Sequence, residues 1–128
     1  DAGCGIGTKV LAACESGFDA YGIEKSQRYV KVAEKLLEAY KGGHWHLENK
    51  DRIILCDVLS ADYSSYDVIY FYRPFTDSVK QTMLEKQIVT QAKVGAIIMA
   101  NHKQSGEEFW SHKPMQRVWQ DIVYKKVK

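Results

Sequence analysis

The chain opens with a glycine-rich segment that leads straight into a helical pattern. Residues 1–7 read D-A-G-C-G-I-G, and the segment 8–15 carries apolar residues at helical spacing before Gly17. Glycines let a backbone bend sharply and leave no Cβ in the way of an approaching ligand. A helix starting here would point its unpaired N–H groups and positive dipole end at that ligand. The sequence therefore predicts a ligand-binding turn within an α/β architecture.

After this turn, short apolar runs alternate with longer segments of helical period. This alternation is typical of a mostly parallel sheet with crossover helices on both faces, which is a three-layer α/β fold. The run at 67–72 is almost continuously apolar and predicts a central strand that is covered on both faces. Further predicted strands are 19–24, 52–56, 95–100 and a last edge strand over 118–127, for which an antiparallel direction is one option. The predicted helices are capped by Ser26 and by Thr76 or Asp77.

Composition excludes several classes of protein. The 128 residues suit one domain, and 45% hydrophobic with 27% charged residues is an ordinary globular mixture. A net charge of +2 is too small to indicate nucleic-acid binding by itself. No apolar run approaches the roughly 18–20 residues that span a bilayer. The three cysteines are not at zinc-ligand spacing, which favours reduced thiols, a cytoplasmic location and no metal site.

The position of the glycine turn raises a question about what precedes it. Such a turn normally follows a strand, because a strand must aim the turn at the ligand. Asp1 is already part of the turn. We therefore expect the chain to be a fragment whose first strand is missing or incomplete. Its natural precursor should carry roughly four to six apolar residues directly before Asp1.

The glycine spacing separates two kinds of nucleotide cofactor. The dinucleotide fingerprint is G-x-G-x-x-G, and counting from Gly3 its third glycine would fall at Thr8. The glycines instead alternate as G-x-G-x-G, with an aspartate two residues before the first. This arrangement suits a cofactor without a pyrophosphate. A glycine-rich turn that binds no ligand is the alternative.

Two acids follow predicted strands at the edge where open α/β sheets bind ligands. Glu24 ends the strand at 19–24, and a carboxylate there can accept hydrogen bonds from both ribose hydroxyls. Asp57 follows the strand at 52–56 and can accept from an adenine amino group, while the N–H of Val58 meets a ring nitrogen. Either acid could equally be an ordinary surface or strand-ending residue.

The glycine segment, Glu24, the C-D-V-L run from Cys56 and the Y-D-V-I-Y-F-Y-R-P-F run from Tyr66 together resemble class I S-adenosylmethionine-dependent methyltransferases. The resemblance covers the chain from Asp1 to about Asn101. It implies a Rossmann-like methyltransferase core, S-adenosyl-L-methionine as cofactor, and methyl transfer to an unidentified acceptor, which could be a small molecule, a protein or a nucleic acid.

The resemblance also implies roles for individual residues. In this family the glycine loop holds the methionine moiety, the acid after the second strand binds ribose, and the acid after the third binds adenine. The cofactor-binding residues would accordingly be Asp1, Gly3, Gly5, Gly7, Glu24, Asp57, Val58 and Tyr72. The acceptor-side residues would be Arg73, Pro74, Asn101 and His102. No catalytic base is assigned, because an acceptor that is already nucleophilic needs none.

The acceptor segment departs from one well-known pattern. Amino-methylating members often carry N-P-P-Y or D-P-P-Y after the fourth strand, whereas this chain has Y-R-P-F. Pro74 and Phe75 fit that pattern, but Tyr72 and Arg73 do not, which argues against adenine or glutamine N-methylation. Arg73 could instead bind an acidic substrate group with two hydrogen bonds, or form a structural salt bridge.

Other readings remain open. The chain could be a non-catalytic binding module with a methyltransferase fold, or less readily an NAD-dependent oxidoreductase. Asn101 and His102 could form an ordinary polar turn, and Trp110 could cover the acceptor site or anchor the core. The run His44-Trp45-His46 resembles a metal or stacking cluster, but it is predicted at the opposite edge of the sheet from the ligand.

Overall fold

The computed structural model describes residues 1–40, 51–112 and 114–128. These residues form two compact units, residues 1–60 and residues 61–128. No helix in the described ranges is both long enough and apolar enough to cross a membrane.

The first unit contains a short parallel strand pair and two helices. Its elements are α1 (Thr8–Glu15), β1 (Gly22–Glu24), α2 (Gln27–Ala39) and β2 (Ile53–Leu55), followed by a 3-10 turn at Val58–Ser60. Strands β1 and β2 are parallel, as predicted, and Glu24 lies opposite Leu55 in their register. Ala2 adds an isolated parallel bridge to Ile23 on β1.

Both helices of this unit begin where the sequence predicted. The N-terminal cap of α2 is Ser26, whose hydroxyl accepts the Tyr29 N–H, and this confirms the predicted start. Helix α1 ends at Glu15, just before Gly17, which has a φ of 91° that suits glycine. The helices and strands enclose a core of Cys4, Val10, Cys14, Val30, Ala33, Leu37 and Ile53.

The second unit is built on a four-stranded mixed sheet. Its elements are β3 (Val68–Tyr72), α3 (Ser78–Gln91), β4 (Ile97–Asn101), α4 (Glu107–Ser111), β5 (Met115–Trp119) and β6 (Val123–Lys126). The strand order is β3-β4-β6-β5, in which β3 and β4 are parallel and the other two pairings are antiparallel. Helix α3 is capped by the Asp77 carboxylate, which accepts the Lys80 N–H.

The prediction of a mostly parallel sheet is therefore wrong for this unit. The segment 118–127, predicted as one strand, holds the end of β5, a turn and β6, so a hairpin stands where one strand was expected. Strand β6 pairs antiparallel with β4, in the direction raised for the last strand, but β5 and not β6 is the edge strand. The hairpin turns at Gln120, which adopts a φ of 46° without being a glycine. Because Gln120 is not a typical turn residue, the turn was not recognised in the sequence.

Strand β3 also differs from its predicted central position. Among the described residues it pairs with β4 and lies at one end of the four-stranded sheet. Its side chains alternate, with Ile69 and Phe71 buried and Val68 and Tyr72 exposed. This alternation is typical of a strand with one covered face, whereas an almost continuous apolar run had indicated two.

An aromatic cluster forms the core of the second unit. Trp110, Phe71 and Tyr124 are all essentially fully buried. The Trp110 ring centroid lies 6.2 Å from that of Phe71 and 5.0 Å from that of Tyr124. Trp110 therefore anchors the core of this unit, which was one of its two predicted roles.

Candidate functional site

The three glycines of the opening loop all have positive φ, but they do so for different reasons. Their φ values are 80° at Gly3, 54° at Gly5 and 81° at Gly7. A Cβ on Gly7 would lie 2.9 Å from the Cβ of Ala33, so Gly7 lets α2 approach closely. A Cβ on Gly5 would meet no atom within 4 Å. The space beside Gly5 is therefore open, unlike the space beside Gly7.

The Glu24 carboxylate joins the loop to the start of α2. Its Oε2 accepts the backbone N–H of Gly5, and its Oε1 accepts the backbone N–H of Ser26, both at 2.9 Å. A carboxylate bonded to two backbone donors has a restricted orientation. Glu24 thus holds the loop in its bent conformation and lies directly beside Gly5.

Backbone bonds tie the same loop to β1. The N–H groups of Gly3 and Cys4 both donate to the Ile23 carbonyl at 2.9 Å, and the Ile23 N–H donates to the Asp1 carbonyl at 2.9 Å. The Asp1 amino group also donates to the Tyr21 carbonyl at 2.7 Å, so Asp1 lies alongside Gly22 at the start of β1. The Cys4 side chain lies over Gly22, and burial raises the pKa of its thiol to about 11.

Asp57 lies at the same end of the parallel pair as Glu24. The Cys56 N–H donates to the Glu24 carbonyl at 3.0 Å, so the chain reaches Asp57 directly beyond β2. The Asp57 side chain is exposed, and its Oδ1 accepts the Leu59 N–H at 2.9 Å. Val58 is buried at the start of the 3-10 turn. The first unit thus places the glycine loop and the two acids Glu24 and Asp57 at one edge, whereas Asp1 lies further back along β1.

The N-terminus of α1 adds donors at this edge. Its cap residue is Gly7, which has no side chain to accept hydrogen bonds from the first turn. The first helical bond runs from the Leu11 N–H to the Gly7 carbonyl. The preceding N–H groups and the helix dipole would favour an anionic group next to the loop.

The second unit brings Tyr72, which was predicted to bind the cofactor, together with the predicted acceptor-side residues. Tyr72 lies opposite Asn101 in the β3–β4 register, and the Arg73 N–H donates to the Asn101 carbonyl at 3.1 Å. The rings of Tyr72 and His102 lie 4.7 Å apart at an angle of 56°. Tyr72 is 60% exposed, so the pair presents aromatic surface to solvent. Pro74, which follows in the same loop, is half-buried.

The Arg73 guanidinium spans the two loops that follow β3 and β4. It donates to the His102 carbonyl at 3.3 Å and to Oε1 of Gln104 at 2.8 Å. These partners are neutral oxygens, so the described contacts form no salt bridge. Arg73 and His102 both have positive φ, 29° and 52° respectively, which is unusual away from glycine.

Two functional candidates in this unit were missed in the sequence, Gln81 and Glu85 on α3. Both side chains are fully buried. The Gln81 amide donates to Glu85 Oε1 at 3.0 Å and accepts the Phe75 N–H at 3.3 Å. They share one helix face with Leu84 and Ile88. The sequence did hold a signal for them: Gln81 and Glu85 are four residues apart and fall on the apolar face of the predicted helix, where a buried polar group needs a partner.

Within the described ranges, no group of three or more His, Cys, Asp and Glu side chains is arranged to hold a metal ion. The run His44-Trp45-His46 lies outside the described residues.

Comparison with known proteins gives structural matches only. No protein-family model matches the sequence. No curated protein matches it either. The structure, however, matches many solved chains.

Several of these matches are methyltransferases, and three of them cover nearly all of this chain. Magnesium protoporphyrin IX methyltransferase from Synechocystis PCC 6803, with bound SAM, matches with a TM-score of 0.67 and 16% identity over 98% of this chain. An RNA methyltransferase from Salinibacter ruber, in complex with S-adenosyl-L-homocysteine, gives 0.63 and 24% over 98%. An S-adenosylmethionine-dependent methyltransferase from Clostridium acetobutylicum ATCC 824 gives 0.59 and 16% over 98%.

This chain spans 65%, 76% and 52% of those three chains, and 42% of the PH0226 protein from Pyrococcus horikoshii OT3, which it also matches. It thus corresponds to part of each. Similarity at these sequence identities shows a shared fold, and any activity has to be argued from the residues of the site. The chain has the α/β fold of S-adenosylmethionine-dependent methyltransferases.

Proposed function

We propose that this chain binds S-adenosylmethionine at the edge where β1 and β2 end, and that its protein transfers the methyl group to an acceptor. One observation carries the proposal. The Glu24 carboxylate accepts the N–H of Gly5 at 2.9 Å and lies at the same end of the strand pair as Asp57. A bent glycine loop and two acids therefore share one edge of a parallel pair, where ligands of α/β proteins bind.

The residues present fit the adenosine part of this cofactor. Each carboxylate oxygen can accept two hydrogen bonds, so each Glu24 oxygen could accept a ribose hydroxyl in addition to its backbone donor. Asp57 is exposed and could accept from an adenine amino group. Val58 and Leu59 follow it and could contribute a backbone donor and an apolar surface for the ring.

The glycine loop fits the methionine part. The open space at Gly5 would admit a ligand that a Cβ would exclude. Next to it, the N-terminus of α1 would hold the carboxylate of the amino acid moiety. Asp1, together with the backbone at Gly3 and Gly7, would complete this side of the site.

The chemistry divides between cofactor and protein. Bound S-adenosylmethionine would supply a methyl group activated by a sulfonium, which the acceptor takes by in-line attack while S-adenosylhomocysteine leaves. The protein would align the acceptor with that methyl group and so remove an entropic cost from the reaction. We assign this alignment to Tyr72, Arg73, Pro74, Asn101 and His102.

The charge of Arg73 favours an acceptor with an acidic or phosphate group. Its guanidinium contacts two neutral oxygens, so its positive charge is available to attract an anion. The Y-R-P-F segment lacks the Asn or Asp that would hold an adenine or glutamine amine. The fold alone does not choose among acceptors, since the matched proteins include a porphyrin and an RNA methyltransferase.

Calorimetry with S-adenosylhomocysteine and with NAD tests the cofactor. We expect S-adenosylhomocysteine to bind with a dissociation constant in the micromolar range, about −8 kcal/mol, and NAD to bind at least about tenfold more weakly. Preferential NAD binding would instead support an oxidoreductase. Absence of binding to both would remove the proposal.

Transfer itself needs a separate experiment. The full-length protein is incubated with methyl-labelled S-adenosylmethionine and cell extract separated into RNA, protein and small-molecule fractions. We expect label in one fraction above a boiled-enzyme control. Binding of S-adenosylhomocysteine without label in any fraction would favour the non-catalytic binding module.

A further inference from the structure

The side chain of Glu85 lies inside the second unit, on the face of α3 that packs into the core. Its relative exposure is 0%, as is that of Gln81 one helical turn earlier. Four donors reach its carboxylate. Oε1 accepts from the Gln81 amide at 3.0 Å and from the Gln104 N–H at 2.5 Å, while Oε2 accepts from the Ser105 N–H at 2.7 Å and from Trp110 Nε1 at 3.3 Å.

These bonds connect one carboxylate to two separate loops. Gln104 and Ser105 lie in the loop that follows β4 and contains His102. Gln81 extends the connection by accepting the Phe75 N–H in the loop that follows β3. Glu85 is therefore linked to both of the loops that carry the proposed acceptor-side residues.

Stability alone does not account for this arrangement. Moving a carboxylate into a protein interior costs several kcal/mol, and well-packed apolar residues in its place are often neutral or stabilising. The four donors match the four acceptor positions of an ionised carboxylate, so the group is fully paired. A network of this kind specifies one geometry for the segments that it joins.

Two residues in these loops have unusual backbone conformations. Arg73 has a φ of 29° and His102 a φ of 52°, although neither is a glycine. Such conformations persist only where surrounding contacts determine them, and they cluster at functional sites. The Arg73 side chain also bonds Gln104, whose N–H is held by Glu85.

We propose that Glu85 is a positioning residue for methyl transfer, which fixes the loops after β3 and β4 so that Tyr72, Arg73 and His102 meet the acceptor in one arrangement. This inference rests on the proposed function. Glu85 touches neither acceptor nor cofactor in this role; it acts through the backbone of Gln104 and Ser105 and through Gln81.

The test compares Glu85→Gln with Ile88→Val in the full-length protein. Glu85→Gln keeps the size of the side chain but places an amide donor where the carboxylate accepted two N–H groups. Ile88 lies on the same helix and is fully buried, and its side chain has no polar group to pair with either loop. Gln81→Leu serves as a second variant, which removes the bonds from Gln81 to Phe75 and to Glu85 Oε1 and leaves the carboxylate and its three other donors in place.

Three measurements follow each variant. Amide hydrogen exchange reports the order of the loops, calorimetry reports affinity for S-adenosylhomocysteine, and labelled methyl transfer to the most heavily labelled extract fraction reports activity. For Glu85→Gln we expect exchange at Gln104 and Ser105 to accelerate at least about tenfold. Apparent kcat should fall at least about tenfold through lost alignment, with affinity for S-adenosylhomocysteine changed less than about twofold.

The two proposals fail in different ways. If wild-type protein binds no S-adenosylhomocysteine, the proposed function fails, and a role for Glu85 in methyl transfer fails with it. If it binds and transfers, then wild-type kcat in Glu85→Gln, or losses no larger than in Ile88→Val, would overturn the positioning role alone. Should Glu85→Gln not fold, unchanged exchange at Phe75 and unchanged kcat in Gln81→Leu overturn it equally.

Discussion

Gly7 lies against Ala33 so closely that a Cβ on the glycine would come within 2.9 Å of the alanine Cβ. Gly5, two residues earlier in the same loop, has open space around it. Both have positive φ, so either would be strained by a side chain. The two glycines therefore separate into one that the fold requires and one that the proposed ligand requires.

Alanine substitution distinguishes these two requirements. Gly7→Ala combines backbone strain with a clash and should lower the free energy of unfolding by about 2–5 kcal/mol. Gly5→Ala should cost only about 1–2 kcal/mol but should weaken S-adenosylhomocysteine binding at least about tenfold. Gly17→Ala, at a φ of 91° with open space, is the matched control for strain alone. Equal affinity in Gly5→Ala and Gly17→Ala would show that no ligand approaches Gly5.

Glu24→Ala removes a proposed ribose acceptor and two backbone bonds. Charge-assisted hydrogen bonds contribute roughly 1.5–3 kcal/mol, so binding of S-adenosylhomocysteine should weaken by about ten- to a hundredfold. Glu34→Ala, which removes an exposed acid of α2, should leave the affinity unchanged. Calorimetry on the three proteins measures both effects. Wild-type affinity in Glu24→Ala would remove this residue from the site.

The Cys4 thiol should make stability depend on pH in the alkaline range. Burial raises its pKa from 9.0 to about 11, so the folded protein holds the proton more tightly than the unfolded chain. Its contribution is complete below about pH 9 and is lost as the pH rises towards 11. Urea unfolding at several pH values, with Cys4→Ala for comparison, isolates this slope. Parallel pH profiles for the two proteins would contradict it.

Cysteine alkylation offers a probe of the adenine side. Cys4 and Cys14 are buried, whereas Cys56 is partly exposed and its thiol donates to the Asp57 carbonyl at 3.2 Å. We expect iodoacetamide at about pH 8 to label Cys56 first, because access limits the buried thiols. S-adenosylhomocysteine should slow this labelling if it binds beside Asp57. Mass spectrometry of the peptides gives the rates, and saturating ligand without any protection would place adenine elsewhere.

Arg73→Ala separates the acceptor from the cofactor. Since Arg73 is assigned to the acceptor, its loss should lower labelled methyl transfer about tenfold or more and change S-adenosylhomocysteine affinity less than about twofold. Arg73→Lys should recover little of the lost methyl transfer, because an ammonium cannot make the same paired contacts as a guanidinium. Arg117→Ala, which removes another basic side chain of the same unit, should leave transfer intact. A matched loss of both affinity and transfer would contradict the assignment.

The sequence predicted local structure best where a cap residue or a run of apolar residues at helical spacing determines an element. The hydroxyl of Ser26 fixed the start of α2, and the period of the apolar residues fixed α1. An antiparallel last strand was among the expectations, but the turn that divides it into a hairpin was missed because Gln120 forms it with a backbone conformation that its residue type does not favour.

The candidate site likewise contains residues that the sequence identified and residues that only the structure revealed. Glu24 and Asp57 could be singled out because each directly follows an apolar run, and the register places them at one edge. The role of Gly7 in packing required knowledge of Ala33, which is distant in sequence. Glu85 was missed for a related reason: its partners Gln104 and Ser105 lie about twenty residues away and contribute only backbone donors, which every residue except proline has.

The bonds from Glu24 to Gly5 and Ser26 mean that the glycine loop is already shaped before any ligand arrives. A ligand that binds to this loop would therefore pay little entropy for ordering the backbone, so its contacts would contribute more fully to the measured affinity. The same two bonds would also limit which ligands can bind, because they hold the loop in one conformation. In the proposed site, a ligand that needs a different loop conformation would have to break these two bonds, and its affinity would fall by the free energy that they contribute.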